Sequence, residues 1–192
     1  MIAKRTLLFA TVALAAVALA APSAHAEWTH EGKPLKGSGT FELSGSVKLE
    51  QGVGNSYECA VLIEMTILEG AEGKGTLNSF KPAAATCKGT GVVAGCELEG
   101  ASSEGLPWVV DAKEWANKVI DAKATNVIFE YKFKKGCLVP NASVEFKELT
   151  MTPDNVNQIS SFSLSGNEGP PINTEISGTL FLTSKAKTFG IK

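Results

Sequence analysis

The chain has 192 residues, 44% of them hydrophobic, with 18 basic against 20 acidic side chains and two histidines. Residues 1–26 read as a removable leader, and losing Lys4 and Arg5 with it leaves 16 basic residues, all lysine, and a net charge of −4. An acidic chain without one arginine lacks the planar fork that grips phosphate in bidentate fashion, which points away from nucleic-acid and phosphoprotein partners.

The leader has the three parts of a secretory signal peptide. Lys4 and Arg5 form the basic start, an apolar run follows from Leu7, and Ala24-His25-Ala26 supplies the small-residue cleavage site. The apolar run falls short of the roughly 20 residues a bilayer-spanning helix needs, so the mature chain 27–192 is expected to be secreted, extracellular and without a membrane span. Its length suits one domain. His25 leaves with the leader, and His30, close to the new N-terminus, is expected to be solvated. With one histidine left, neither a His-rich zinc site nor a well-founded Ser-His-Asp triad can be assembled, and no catalytic residue, metal or cofactor is assigned.

The mature chain opens on a polar, glycine-rich lead-in with Trp28 as its possible anchor. Strict alternation then begins. Phe41, Leu43, Gly45, Val47 and Leu49 share one face, and after Gly52-Val53-Gly54-Asn55 so do Tyr57, Cys59, Val61, Ile63, Met65 and Ile67. Period two over such lengths predicts half-buried strands. Gly73-Lys74-Gly75-Thr76 is no phosphate loop, because Leu68 stands where that motif requires glycine. The step from Leu77 to Phe80 breaks parity and predicts a bulge or an edge.

Residues 92–110 keep their apolar members on even positions, Val92 to Leu98 and then Leu106, Trp108 and Val110, which fits two strands joined by a short turn. Asp111 to Ala124 carries the one helical spacing in the chain, with Ala112, Trp115 and Val119 on a shared face, so a short helix or irregular crossover is expected there. Val127, Phe129, Tyr131 and Phe133 alternate again. A further strand starting at Val144 shifts parity at Lys147-Glu148, and strands follow around Phe162 and from Ile172 to Leu182. Eight or nine strands and at most one short helix define an all-β, single antiparallel domain. An up-and-down barrel, its last strand pairing with its first, is favoured over a two-sheet sandwich because closure removes both open edges.

Four cysteines in an exported chain point to two disulfides. The favoured pairing is Cys87 with Cys96, closing a short connection, and Cys59 with Cys137, tying an early strand to a late one. Cys59 with Cys87 is the rival, since a hairpin turning near residue 71 sets position 59 opposite about position 83 and a bulge would bring Cys87 within reach.

Glu27-Trp28, the paired cysteines and Leu106-Pro107-Trp108 together resemble a group of small exported proteins of high-GC Gram-positive bacteria. The resemblance covers most of the mature chain and implies export and a β-rich fold, with no catalytic residues to carry over.

Three kinds of function fit this chain. The first is a non-enzymatic binding or interaction module that holds a small apolar ligand or touches a cell-surface component, with Trp115 and Trp108 as candidate binding residues. Trp108 shares the parity of Leu106 and Val110, which also suits a core position. The second is an extracellular glycan hydrolase using the carboxylates of Asp111 and Glu114. The third is a structural or adhesive surface component.

Overall fold

The computed structural model describes residues 27–68, 73–114, 120–135, 137, 142–156, 158–169, 173–183 and 189–191, with the backbone alone at 113, 114, 120 and 142. The expected leader, Trp115 and the middle of the expected helix lie outside these residues. Thirteen strands follow in chain order: β1 (Trp28–His30), β2 (Lys33–Pro34), β3 (Gly39–Gln51), β4 (Ser56–Ile67), β5 (Lys74–Pro82), β6 (Lys88–Thr90), β7 (Leu98–Glu104), β8 (Trp108–Glu114), β9 (Ile120–Phe133), β10 (Ala142–Pro153), β11 (Ser161–Glu168), β12 (Thr174–Leu182) and β13 (Phe189–Ile191). Among the described residues the helical content is two single 3₁₀ turns, at Ala84–Thr86 and Gly91–Val93.

The wall of the molecule is an eight-stranded antiparallel barrel. Going round it, β3 pairs β4, then β5, β8, β9, β10, β11 and β12 follow, and β12 pairs β3 again. Every wall neighbour is also the next wall strand in sequence, which is the up-and-down order that the alternating runs and short turns predict. Closure runs over nine paired positions from Thr174↔Gln51 to Leu182↔Leu43, so no long edge is left open.

Two wall strands are broken, and there the local reading needs correcting. β7 and β8 are not a hairpin. Both run antiparallel to β9, β7 against Ile128–Phe133 and β8 against Ile120–Ala124, as one strand interrupted at Gly105-Leu106-Pro107. The Trp108 indole closes the interruption by donating from Nε1 to the Glu104 carbonyl at 2.8 Å. In the same way β6 continues the line of β5 along β4, with residues 83–87 inserted between them.

The helical spacing from Asp111 is overridden wherever it is described, since residues 111–114 and 120–124 are strand. Val110, Ala112, Ala122 and Ala124 are each 0% exposed, and burying all four on one wall outweighs the propensity of a short alanine-containing segment. Alternation reads correctly elsewhere. The parity break in β5 is a register shift that skips Asn78, with Met65 facing Leu77 and Glu64 facing Ser79. The shift at Lys147-Glu148 is matched across the ladder by Asn126, held at φ 55°, a left-handed conformation that asparagine tolerates better than most side chains.

An eight-stranded barrel is just wide enough for its own side chains to fill it. Its centre holds Phe129 edge-on to Trp108 at 5.5 Å and within 4.7 Å of Phe80, with Phe146 on the far side at 6.0 Å. One end is closed by the small sheet β13-β1-β2. Trp28 and Ile191 are buried there, and Phe189 packs on Phe41 at 5.3 Å. The lead-in is thus a structured cap, and His30, expected in solvent, lies against Phe189 at 5.3 Å with its Nε2 buried.

Candidate functional site

The other end of the barrel is the mouth. There β3 ends and β4 begins, β9 ends, and the segment 88–96 crosses the opening. That segment, Lys-Gly-Thr-Gly-Val-Val-Ala-Gly-Cys, is glycine-rich and mostly exposed, but Val93 at its centre turns inward and is 6% exposed. Its position is set by polar contacts on both sides. The Tyr57 hydroxyl donates to the Cys96 carbonyl at 3.0 Å and leans on that of Val93 at 3.4 Å, and the Val92 amide donates to Asn55 Oδ1 at 2.9 Å.

Both disulfides belong to this strap, and their pairing corrects the favoured one. Cys59 bonds Cys87 and Cys96 bonds Cys137. The reason is the meander itself. In a closed up-and-down barrel β4 and the end of β9 are separated by two other wall strands, so Cys59 cannot reach Cys137. Cys87, delivered by the insertion between β5 and β6, lies beside Cys59 with Cα atoms 4.1 Å apart. Cys96 precedes β7 and Cys137 follows β9, and these strands are paired, so the second bond links neighbours too. The bond envisaged between Cys87 and Cys96 is replaced by the whole length of the strap.

Beneath the strap lies a cavity of about 30 Å³ lined by Leu49, Tyr57, Val93, Tyr131 and Phe133, with Gln51, Asn55 and Ser56 at its rim. A second void of about 10 Å³ lies deeper, among Val47, Cys59, Phe80 and again Tyr131. The larger space has room for a water molecule or two and not for a drug-sized ligand while the strap is down. The Tyr131 side chain is 7% exposed. Burial pushes its pKa well above the ordinary tyrosine value, so the phenol stays neutral and available to donate or accept one hydrogen bond. Burial raises the Tyr57 pKa as well.

The residues singled out in the sequence sit elsewhere. Trp108 is 2% exposed and lies in the aromatic core, as its parity indicates, and Trp115 lies outside the described residues. Asp111 stands between Lys74, 3.8 Å away, and Lys123 in the ladder on the outer face of the wall, while the Glu114 side chain is not among those described. No group of three or more His, Cys, Asp or Glu side chains suited to a metal is assembled among the described residues. No described helix is long and apolar enough to cross a membrane. Tyr131 and Val93 escaped the sequence reading. The signal available for Val93 was its place between flanking glycines and two cysteines, and Tyr131 showed only the inward parity of β9.

The fold and mouth define a disulfide-strapped up-and-down β-barrel with a packed interior. Comparison with protein-family models, curated proteins and solved structures gives no match, so the site is read from its own chemistry.

Proposed function

We propose that the mature chain is a secreted, non-enzymatic binding module of a bacterial exterior, and that its site is the barrel mouth. The ligand class is a small, mostly apolar molecule carrying one hydrogen-bonding group. The observation that supports this most directly is the aromatic-lined cavity at the mouth, beside which burial keeps the Tyr131 phenol neutral and able to donate or accept a hydrogen bond. Two disulfides suit an oxidising compartment, and the leader-like sequence of residues 1–26 supports export. The carboxylate-pair hydrolase has less support, because Asp111 is held among lysines on the outer wall.

Native mass spectrometry of residues 27–192, set against the denatured mass, tests the reading. The expected result is a small bound mass, or uptake of the neutral apolar fluorophore phenylnaphthylamine. Both should be lost in Val93→Trp, which fills the mouth, and the fluorophore affinity should fall about fivefold in Tyr131→Phe, the worth of one hydrogen bond. Equal uptake by wild type and Val93→Trp would refute the site, and absence of any uptake would refute the function.

A further inference from the structure

We infer that the segment 88–96 is a latched lid, and that reduction of the Cys96–Cys137 disulfide releases it from the mouth. The inference rests on the mouth being the binding site and adds how access to it is controlled.

The strap occupies the place a ligand would take. Val93 fills the opening above Tyr131, against Leu49, Tyr57 and Phe133. A ligand must therefore displace Val93, and the apparent affinity is reduced by the small fraction of molecules whose strap is open. What keeps that fraction small is limited. The described non-covalent ties on the segment itself are the Tyr57 hydroxyl, the Asn55 amide oxygen, the short β6 pairing with β4, and the contacts of Thr90 with Ser56 and the Gly54 carbonyl. A buried core strand has far more to lose on opening, so the strap belongs to the low-stability end of the molecule.

The two staples are not equivalent. Cys59, in β4, is 5% exposed, while its partner Cys87 is half-buried, so the first staple has one buried end. Cys96 and Cys137 are both half-buried and face an open groove of about 500 Å³ lined by Val92, Glu97, Lys134 and Lys135. A reductant can approach there, and with Lys134 paired to Glu97 it is Lys135 on the groove wall that favours the thiolate form of the departing sulfur. The chemistry is an exchange with an external dithiol. One donor thiolate attacks a sulfur of the Cys96–Cys137 bond, the second donor thiol resolves the mixed disulfide, and two electrons and two protons leave Cys96 and Cys137 as thiols while the donor becomes a disulfide. The strap then stays anchored at Cys87 on one side and, through Glu97 and β7, on the other, and lifts between them on its own glycines.

The experiment follows hydrogen exchange of the peptide covering 88–97, and of peptides from β4 and β9, in the intact protein, in protein mildly reduced with dithiothreitol, and in the Cys96→Ala/Cys137→Ala variant. Phenylnaphthylamine uptake is recorded alongside. Release of the latch should speed strap exchange by more than the roughly fivefold that one hydrogen bond carries, leave β4 and β9 unchanged, and speed uptake in step. Tyr57→Phe, which keeps both disulfides, should act in the same direction by about fivefold and covers the case in which the cysteine variant does not fold. Unchanged strap exchange, or β4 and β9 loosening together with the strap, would overturn the latch. A freed strap with no uptake in any form would uphold the latch and overturn the binding reading.

Discussion

Gly45 sits at the seam that closes the barrel, on the inward face of β3 opposite Leu180 of β12. A Cβ placed there would lie 1.9 Å from the carbonyl oxygen of Thr179 and 2.9 Å from its carbon, where real Cβ contacts essentially never fall below 3.0 Å. The obstacle is backbone and cannot rotate away, so β12 must retreat by about 1.1 Å, enough to stretch neighbouring ladder hydrogen bonds beyond bonding distance. Two or three such bonds at about 1 kcal/mol each, with about 1–3 kcal/mol of overpacking, put the cost of Gly45→Ala at roughly 3–6 kcal/mol. Gly39, on the same strand, is the control. Its added Cβ would meet Ile67 and Phe189 at 3.7 Å, an ordinary contact. Gly39→Ala should thus be neutral or stabilising by up to about 1 kcal/mol through the unfolded chain. Urea unfolding of both variants, compared at matched slope, decides the matter. A Gly45→Ala variant within 1 kcal/mol of Gly39→Ala would show that the seam is not closed as described.

Truncating Trp108 to alanine removes the indole bond to Glu104 and the rings' contact with Phe80 and Phe129, and should cost about 3–5 kcal/mol in urea unfolding. Asp154 is a pH probe. Desolvation works to raise its pKa, but hydrogen bonds from the Ser160 hydroxyl and the amides of Ser161, Ser160 and Asn155 outweigh it and hold the group at about 2. Its contribution is therefore full above about pH 4 and lost as pH falls through about 2, so the urea midpoints of wild type and Asp154→Asn should differ at pH 6 and converge at pH 2. Gly91 holds φ 67° and an added Cβ would lie 2.2 Å from Asn55 Oδ1 and 2.4 Å from the Gly54 carbonyl. Gly91→Ala should accordingly raise exchange in the peptide covering 88–97 without altering either disulfide, as peptide mass mapping would show.

The barrel was legible because its signal is periodic and redundant. Leu43 to Leu49 and Tyr57 to Ile67 each repeat one face several times, and a one-residue slip would turn all of those side chains outward. The bulge at Asn78 was legible for the same reason, as a local failure of the period. Gly105-Leu106-Pro107 was not, because a glycine and a proline announce an interruption without saying whether the chain reverses after it. That outcome depends on β9, which offers β7 and β8 one continuous partner long enough for both. The disulfides failed with it, since cysteine pairing follows strand adjacency and adjacency follows from which turns reverse. His30 failed differently. Nearness to a terminus suggested solvent, whereas Phe189 and Ile191, more than 150 residues away in sequence, return to cover β1.

The proposed site was hidden because it is defined by where the closed fold leaves space. A tyrosine on an inward face reads as core, and only the closed structure shows that Tyr131 borders two small voids. The two ends of the barrel explain why the place of those voids matters. An interior filled by Trp108, Phe80, Phe129 and Phe146 has no room for a ligand along its length, so the proposed binding falls to an end. The capped end is joined by backbone ladders, with three paired positions between β1 and β13 and two between β1 and β2, and it buries Trp28 beneath them. The strapped end relies on the three-position β6–β4 ladder, a few polar contacts and two covalent staples, one of them beside an open groove. Opening the cap would expose an indole and break two ladders, whereas lifting the strap breaks one short ladder and uncovers one valine. The easier motion is also the one that uncovers Tyr131, which is why the proposed control of access falls at the Cys96–Cys137 bond.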